Sequence, residues 1–168
     1  MVTMYIGGGL ANKMFQYAFS LAIKKKGYDV VYDTVSFKTE FVHDRVELDD
    51  IFTNVKMNKV SKVRYWAAGK QGKLPRMVKR LFPQYVTEHA YLFNDKVWKE
   101  LKRNCYVESS WQDEKYFISA EEEVRKAFVF PPFEDKRNVD IAEAMRNSNS
   151  VAIHIRKGDG YGTWNIFS

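Results

Sequence analysis

The opening of this chain limits its fold more than any other feature. Met1–Ile6 is a short, largely apolar run, and Gly7-Gly8-Gly9 follows it directly. Phe15, Ala18, Phe19, Ala22 and Ile23 then recur at the spacing of one helical face. Lys24-Lys25-Lys26 falls in the last turn, where cations complement the helix dipole, and Gly27 is a suitable stop. Val30-Val31-Tyr32 reads as a second strand. Strand, glycine loop, helix and strand in that order predict an α/β protein: a Rossmann-like parallel sheet with flanking helices.

Further along, Leu48–Phe52 reads as partly helical, Val97–Lys102 as a helix and Tyr106-Val107-Glu108 as a strand. Ala120–Phe128 is predicted helical and is stopped by Pro131-Pro132. Val139–Met145 is predicted helical with Asn138 as its N-cap. Ser148-Asn149-Ser150 makes a turn, and Val151–Ile155 is an apolar, β-branched run expected to be a strand, with a glycine-rich loop at Lys157–Gly162.

A length of 168 residues suits about one domain, and 45% hydrophobic with 15% aromatic residues excludes a chain disordered throughout. Cys105 is the sole cysteine, so neither an internal disulfide nor a cysteine-built metal site can form, which suits a reducing compartment. No apolar run approaches the roughly 18–20 residues that span a bilayer. Met1–Ile6 is too short for a signal-peptide core. The expectation is a soluble, cytoplasmic protein.

Net charge is +6, unevenly spread. No acidic residue occurs between Asp50 and Glu88, while Lys56, Lys59, Lys62, Arg64, Lys70, Lys73, Arg76, Lys79 and Arg80 fall in one stretch. Such a run is either a solvated helical face or a field for an anionic partner. Tyr65 and Trp66 lie within it, yet no nucleic-acid-binding motif accompanies them, so nucleic acid is not expected. Peripheral contact of Lys56–Arg80 with an anionic membrane is the form that a partner would take.

Two glycine loops carry the candidate chemistry. At Gly7-Gly8-Gly9-Leu10-Ala11-Asn12-Lys13 the glycines allow a sharp turn and close ligand approach, and the following helix start offers N–H groups to an anion. The third glycine of a dinucleotide fingerprint is absent, and so is the Gly-Lys-Ser/Thr of a phosphate-binding loop. The competing reading is a plain strand-to-helix turn capped by Asn12. In the second loop, His154 and Arg156 are two apart and share a strand face. At the carboxyl end of a parallel strand that face opens onto the crevice where α/β proteins bind ligands. Arginine offers phosphate a bidentate fork, and Lys157 adds a point charge. The competing reading pairs Arg156 with Asp159 at the surface and buries His154. No metal-ligand spacing, nucleophile elbow or Asp-x-Asp occurs, so no metal is expected.

Several of these segments together resemble a known family. Gly8-Gly9-Leu10-Ala11-Asn12-Lys13-Met14-Phe15-Gln16-Tyr17 is similar to the opening of glycosyltransferase family 11, the α-1,2-fucosyltransferases. Glu47-Leu48-Asp49, Trp111-Gln112-Asp113-Glu114-Lys115-Tyr116-Phe117 and His154-Ile155-Arg156-Lys157-Gly158-Asp159 resemble three further family segments, in the family's order. Ala11 and Lys13 stand where the family has glycine and glutamine, and Gly160 intervenes before Tyr161. The resemblance implies a two-domain GT-B-type glycosyltransferase, with residues 1–148 as its N-terminal, acceptor-side domain and 149–168 opening a nucleotide-sugar-binding domain. Ser168 falls near the family's midpoint, so the chain is expected to be a truncated form, a non-catalytic fragment if it acts alone. The implied activity is inverting, metal-independent transfer of fucose from GDP-fucose to a galactoside-type sugar hydroxyl. The implied partners are a nucleotide-sugar donor and a glycan acceptor. Arg156 would hold the donor diphosphate, with His154 a neighbouring donor-site residue and Lys157, Gly8 and Gly9 further substrate-binding residues. Asn12 would orient the acceptor hydroxyl or the leaving oxygen, and Asp159 would act as general base.

Overall fold

The computed structural model describes residues 1–34, 46–60, 84–88 and 92–153. Met1–Pro131 is one compact unit and Pro132–Ser168 a second. Among the described residues the first unit holds four strands: β1 (Val2–Tyr5), β2 (Val30–Asp33), β3 (Gln84–Thr87) and β4 (Cys105–Glu108). They form one sheet in the order β2-β1-β4-β3, and every pairing is parallel. The helices among the described residues are α1 (Leu10–Lys25), α2 (Leu48–Ile51), α3 (Lys96–Glu100) and α4 (Glu121–Ala127), with two 3-10 turns at Glu114–Tyr116 and Ile118–Ala120. The second unit contains α5 (Lys136–Arg146). This is the predicted α/β class, a parallel sheet with flanking helices.

Each element follows from local chemistry. Helix α1 is capped by Gly9 and ends in a Schellman arrangement around Gly27, whose φ is +87°. The Gly27 N–H reaches the Lys24 carbonyl, and the Tyr28 N–H reaches that of Ile23. A side chain at Gly27 would carry the strain of a left-handed backbone. The buried stripe of α1 includes the expected Ala18, Phe19, Ala22 and Ile23, with Phe15 half-buried beside Phe117. The stripe is wider than the apolar pattern, because Lys13, Gln16 and Ser20 are also buried. Helix α2 is a single turn held by a reciprocal capping box between Glu47 and Asp50.

Strand alternation divides the sheet cleanly. Val2, Met4, Val30, Tyr32, Val86, Cys105 and Val107 point to one side and join the core beneath α1. Phe19 is the centre of that core, with ring centroids 5.1 Å from Trp98, 4.7 Å from Trp111 and 5.2 Å from Tyr116.

Two expectations are corrected. Asn138 does not cap α5: the cap is Asp135, whose carboxylate accepts the Asn138 backbone N–H at 3.1 Å, and the helix starts earlier, at Lys136. The Lys136–Asp140 ion pair at i, i+4 supports that extra turn. Residues 151–153 are not a strand, and Val151 and Ile153 are 86% and 82% exposed. A β-branched run becomes a strand where a neighbour supplies backbone partners, and among the described residues none is bonded to these three. Residues 154 and 155 of that expected strand lie outside the described residues.

Candidate functional site

The carboxyl ends of β1, β4 and β3 open into a cleft of about 540 Å³. Open α/β sheets bind their ligands at this end. Gly7, Gly8 and Asn12 form one wall, and Glu108, Ser109 and Ser110 at the end of β4 form another. Tyr85, Thr87 and Glu88 close it at the end of β3. Gly8 sits at φ +83°, and a Cβ there would lie 3.0 Å from the Asn12 amide nitrogen, so the turn that presents Asn12 requires glycine. A Cβ on Gly7 would collide with the Tyr5 ring.

Amide side chains fix the walls to each other. The Gly7 N–H donates to Gln16 Oε1 at 2.8 Å, and Gln16 Nε2 donates to the Ser109 carbonyl at 3.2 Å. Gln112 Nε2 donates to Asn12 Oδ1 at 2.8 Å. Asn12 is thus not the cap of α1: Gly9 holds that position, and Asn12 lies within the first turn with its side chain directed to Gln112. Trp111, just before Gln112, has φ 53°, unusual for a bulky residue. That kink sends the indole into the core beside Phe19 and leaves Gln112 exposed, facing Asn12. A left-handed residue of this kind costs roughly 1–3 kcal/mol and persists where its surroundings hold it, commonly at functional sites.

The rest of the 111–117 segment is scaffolding. The Asp113 carboxylate accepts the Lys115 N–H at 2.9 Å and the Phe93 N–H at 3.0 Å. The Tyr116 hydroxyl accepts the Asn94 N–H at 2.9 Å, and burial pushes its ionisation above the usual range.

Electrostatically the cleft is an acceptor of hydrogen bonds. The charges among its described lining residues are both carboxylates, Glu88 and Glu108. Glu88 accepts the Asn94 amide, and its backbone carbonyl accepts the Ser109 hydroxyl. Glu108 accepts the Tyr85 hydroxyl. Tyr85 is 45% exposed and stacks on Tyr106 at 5.5 Å and 17°. The Tyr106 hydroxyl donates to the buried Asp33 carboxylate at 2.7 Å. Hydroxyls, amides and two carboxylates around an open hollow suit a polyhydroxylated, uncharged ligand better than a polyanion. A second hollow, about 250 Å³ between α1 and α4, has an almost wholly apolar lining and nothing with which to do chemistry.

Of the site residues expected from sequence, Gly8, Gly9 and Asn12 belong to the glycine turn at the cleft. His154, Arg156, Lys157 and Asp159 lie outside the described residues. Of the nine bases in the run, Lys56 and Lys59 are described. Burial pulls the Lys59 ammonium down, but contacts with Glu47 and Asp49 outweigh this and leave it raised. It therefore serves the α2 turn. Among the described residues no helix is long and apolar enough to cross a membrane.

Sequence reasoning passed over Gln16, Tyr85, Glu88 and Glu108. Two of them had a signal. Gln16 lies four residues after Asn12, one helical turn on, and Glu108 is the last residue of a recognised strand.

The comparisons with known proteins bear on this arrangement. No family model matches the chain, and no solved structure does. Over 167 aligned residues the chain is 26% identical to an alpha-1,2-colitosyltransferase of Escherichia coli. The match takes in 94% of this chain and 54% of that protein, so the chain spans about half the length of the curated relative it matches. The similarity to that transferase extends along nearly the whole of this sequence.

Proposed function

We propose that this chain is the acceptor-side portion of a GT-B-type, inverting glycosyltransferase, with residues 1–148 as the acceptor domain and 149–168 opening the donor domain. The reaction is transfer of a deoxyhexose from a GDP-sugar to a hydroxyl of a second sugar. Fucose comes from the family resemblance, and colitose is the sugar in the relative's name. One observation carries the reading. Two segments that resemble the same family, around Asn12 and around Gln112, lie 100 residues apart and are hydrogen-bonded to each other at one cleft on the carboxyl side of a parallel sheet.

On this reading the labour is divided by charge. The leaving group is a nucleoside diphosphate, whose negative charge must be neutralised as the glycosidic bond breaks. The cleft's described carboxylates are unsuited to that, so the diphosphate belongs with Arg156 and Lys157, with His154 beside it. Arginine does this through its fixed fork and needs no metal. The cleft takes the acceptor, and Asn12, held by Gln112, orients its hydroxyl.

The test is transfer of labelled sugar from GDP-fucose and from nucleotide-activated colitose to a panel of galactosides by the intact protein, with and without Arg156→Ala. Loss of the fork lowers turnover by at least about 100-fold, since a charged hydrogen bond is worth about 1.5–3 kcal/mol and two are removed. Turnover within threefold of wild type removes Arg156 from the donor site.

A further inference from the structure

We propose that Glu108 is the base that takes the proton from the acceptor hydroxyl; the assignment rests on the glycosyl-transfer reading above. An attacking sugar hydroxyl must lose its proton as it bonds to the anomeric carbon, and a carboxylate within hydrogen-bond reach is a common device for that. Two described carboxylates line the cleft, and their surroundings differ. Glu88 is tied into the loop after β3, with its carboxylate on Asn94 and its carbonyl on Ser109. Glu108 ends β4, beside β1, and the next residue, Ser109, is bonded through Gln16 to the glycine turn at Gly7. The backbone that carries Glu108 is thereby tied to the glycine turn that precedes Asn12.

Its orientation is set as well. Tyr85 donates its hydroxyl to Glu108, and the Tyr85 ring lies flat on Tyr106, which is anchored to Asp33. An ionised carboxylate has about four lone-pair sites on two oxygens, so a carboxylate that already holds partners can still accept a substrate hydroxyl. The exposed Tyr85 ring also offers the sugar a flat apolar face. In the step, the acceptor oxygen forms its bond to the anomeric carbon of the donor. The bond from that carbon to the diphosphate oxygen breaks, its electron pair leaves with the diphosphate, and the hydroxyl proton passes to Glu108. The carboxyl group then returns the proton to water.

The experiment compares wild type, Glu108→Gln, Glu108→Asp, Asp159→Asn and the exposed helix control Glu143→Gln. Each is followed by kcat, acceptor KM and their pH dependence in the intact protein, with thermal melting as the check on folding. Glu108→Gln lowers kcat at least about 100-fold, leaves acceptor KM within about threefold and abolishes the acid limb of the kcat profile. Glu108→Asp keeps the charge on a shorter arm, so kcat falls about tenfold and the acid limb stays; this variant decides the matter if the glutamine form does not fold. Glu143→Gln is unchanged. The assignment is overturned if Glu108→Gln retains kcat within threefold together with its acid limb, if Glu108→Asp matches wild type, or if Asp159→Asn is the variant that loses the limb. A wild type that transfers no sugar from any donor overturns the transferase reading itself, an outcome distinct from an active wild type with an unaffected Glu108 variant.

Discussion

The two faces of the sheet are made of alternate residues of the same four strands, yet they answer to different forces. On one face Val2, Met4, Val86, Cys105 and Val107 sit against Phe19 and its ring of aromatics. On the other, Asp33, Tyr106, Tyr85 and Glu108 are linked hydroxyl to carboxylate and ring to ring, ending at the cleft. The first face is held by removal of apolar area from water and is indifferent to direction. The second is held by directional bonds that cost free energy when left unmade. Such a division lets one sheet be a stable platform and still present oriented polar groups.

Removing the anchor of the apolar face breaks this contrast most severely. Phe19 is fully buried among three aromatic side chains. Phe19→Ala is expected to cost about 3–5 kcal/mol, the range for truncating a buried phenylalanine, because rings on several sides cannot all collapse into the gap. Urea denaturation reads the loss directly. A loss under 1 kcal/mol would show that the polar face carries most of the stability.

The apolar face also contains a hidden polar liability. Tyr32 is fully buried, its hydroxyl pairs with Ser20 at 2.9 Å, and burial pushes its ionisation up to about 12. An unfolded tyrosine ionises near 10. The folded state therefore holds this proton more tightly, and the associated stability is complete below pH ~10 and is lost as pH rises through about 12. Two units correspond to about 2–3 kcal/mol. Tyr17, raised by burial as well, adds in the same direction. Tyr32→Phe should flatten the decline between pH 10 and 12 in denaturation curves. Ser20 keeps its 2.6 Å bond to the Tyr17 carbonyl, so the variant remains folded at neutral pH. An equally steep decline in the variant would assign it to other groups.

How far each region could be read from sequence follows the same division. The β1-α1-β2 opening was legible because its signals are local: an apolar strand, a helical stripe, and a glycine at the point where the backbone turns left-handed. Strand β3 was not, since Gln84-Tyr85-Val86-Thr87 buries one apolar side chain and gains its identity from pairing with β4, about twenty residues on. Residues 151–153 erred the other way, their β-branched composition giving a strand reading without a described partner. At the site, the glycine turn and Asn12 announced themselves. Gln16 looked like a break in an apolar stripe, when its burial serves the link to Ser109. Glu108 and Tyr85 meet only because Thr87 and Glu108 fall in register, which no local pattern states.

A last substitution sharpens the comparison from the polar side. Tyr106 is buried and spends its hydroxyl on Asp33 while its ring supports Tyr85. Tyr106→Phe keeps the stack and deletes one bond to a buried carboxylate, for an expected cost of about 1.5 kcal/mol, the low end for a charged hydrogen bond. It is kept low because Asp33 has further contacts. The ring should stay in place, so Tyr85 and the cleft should be undisturbed, and any effect on acceptor KM should stay within about threefold. The double variant with Phe19→Ala separates the two faces thermodynamically. Residues with no shared partner are expected to be additive within about 0.5 kcal/mol. A coupling above 1 kcal/mol would mean that the faces fold as one network, and that the directional bonds at the cleft depend on the packing beneath α1.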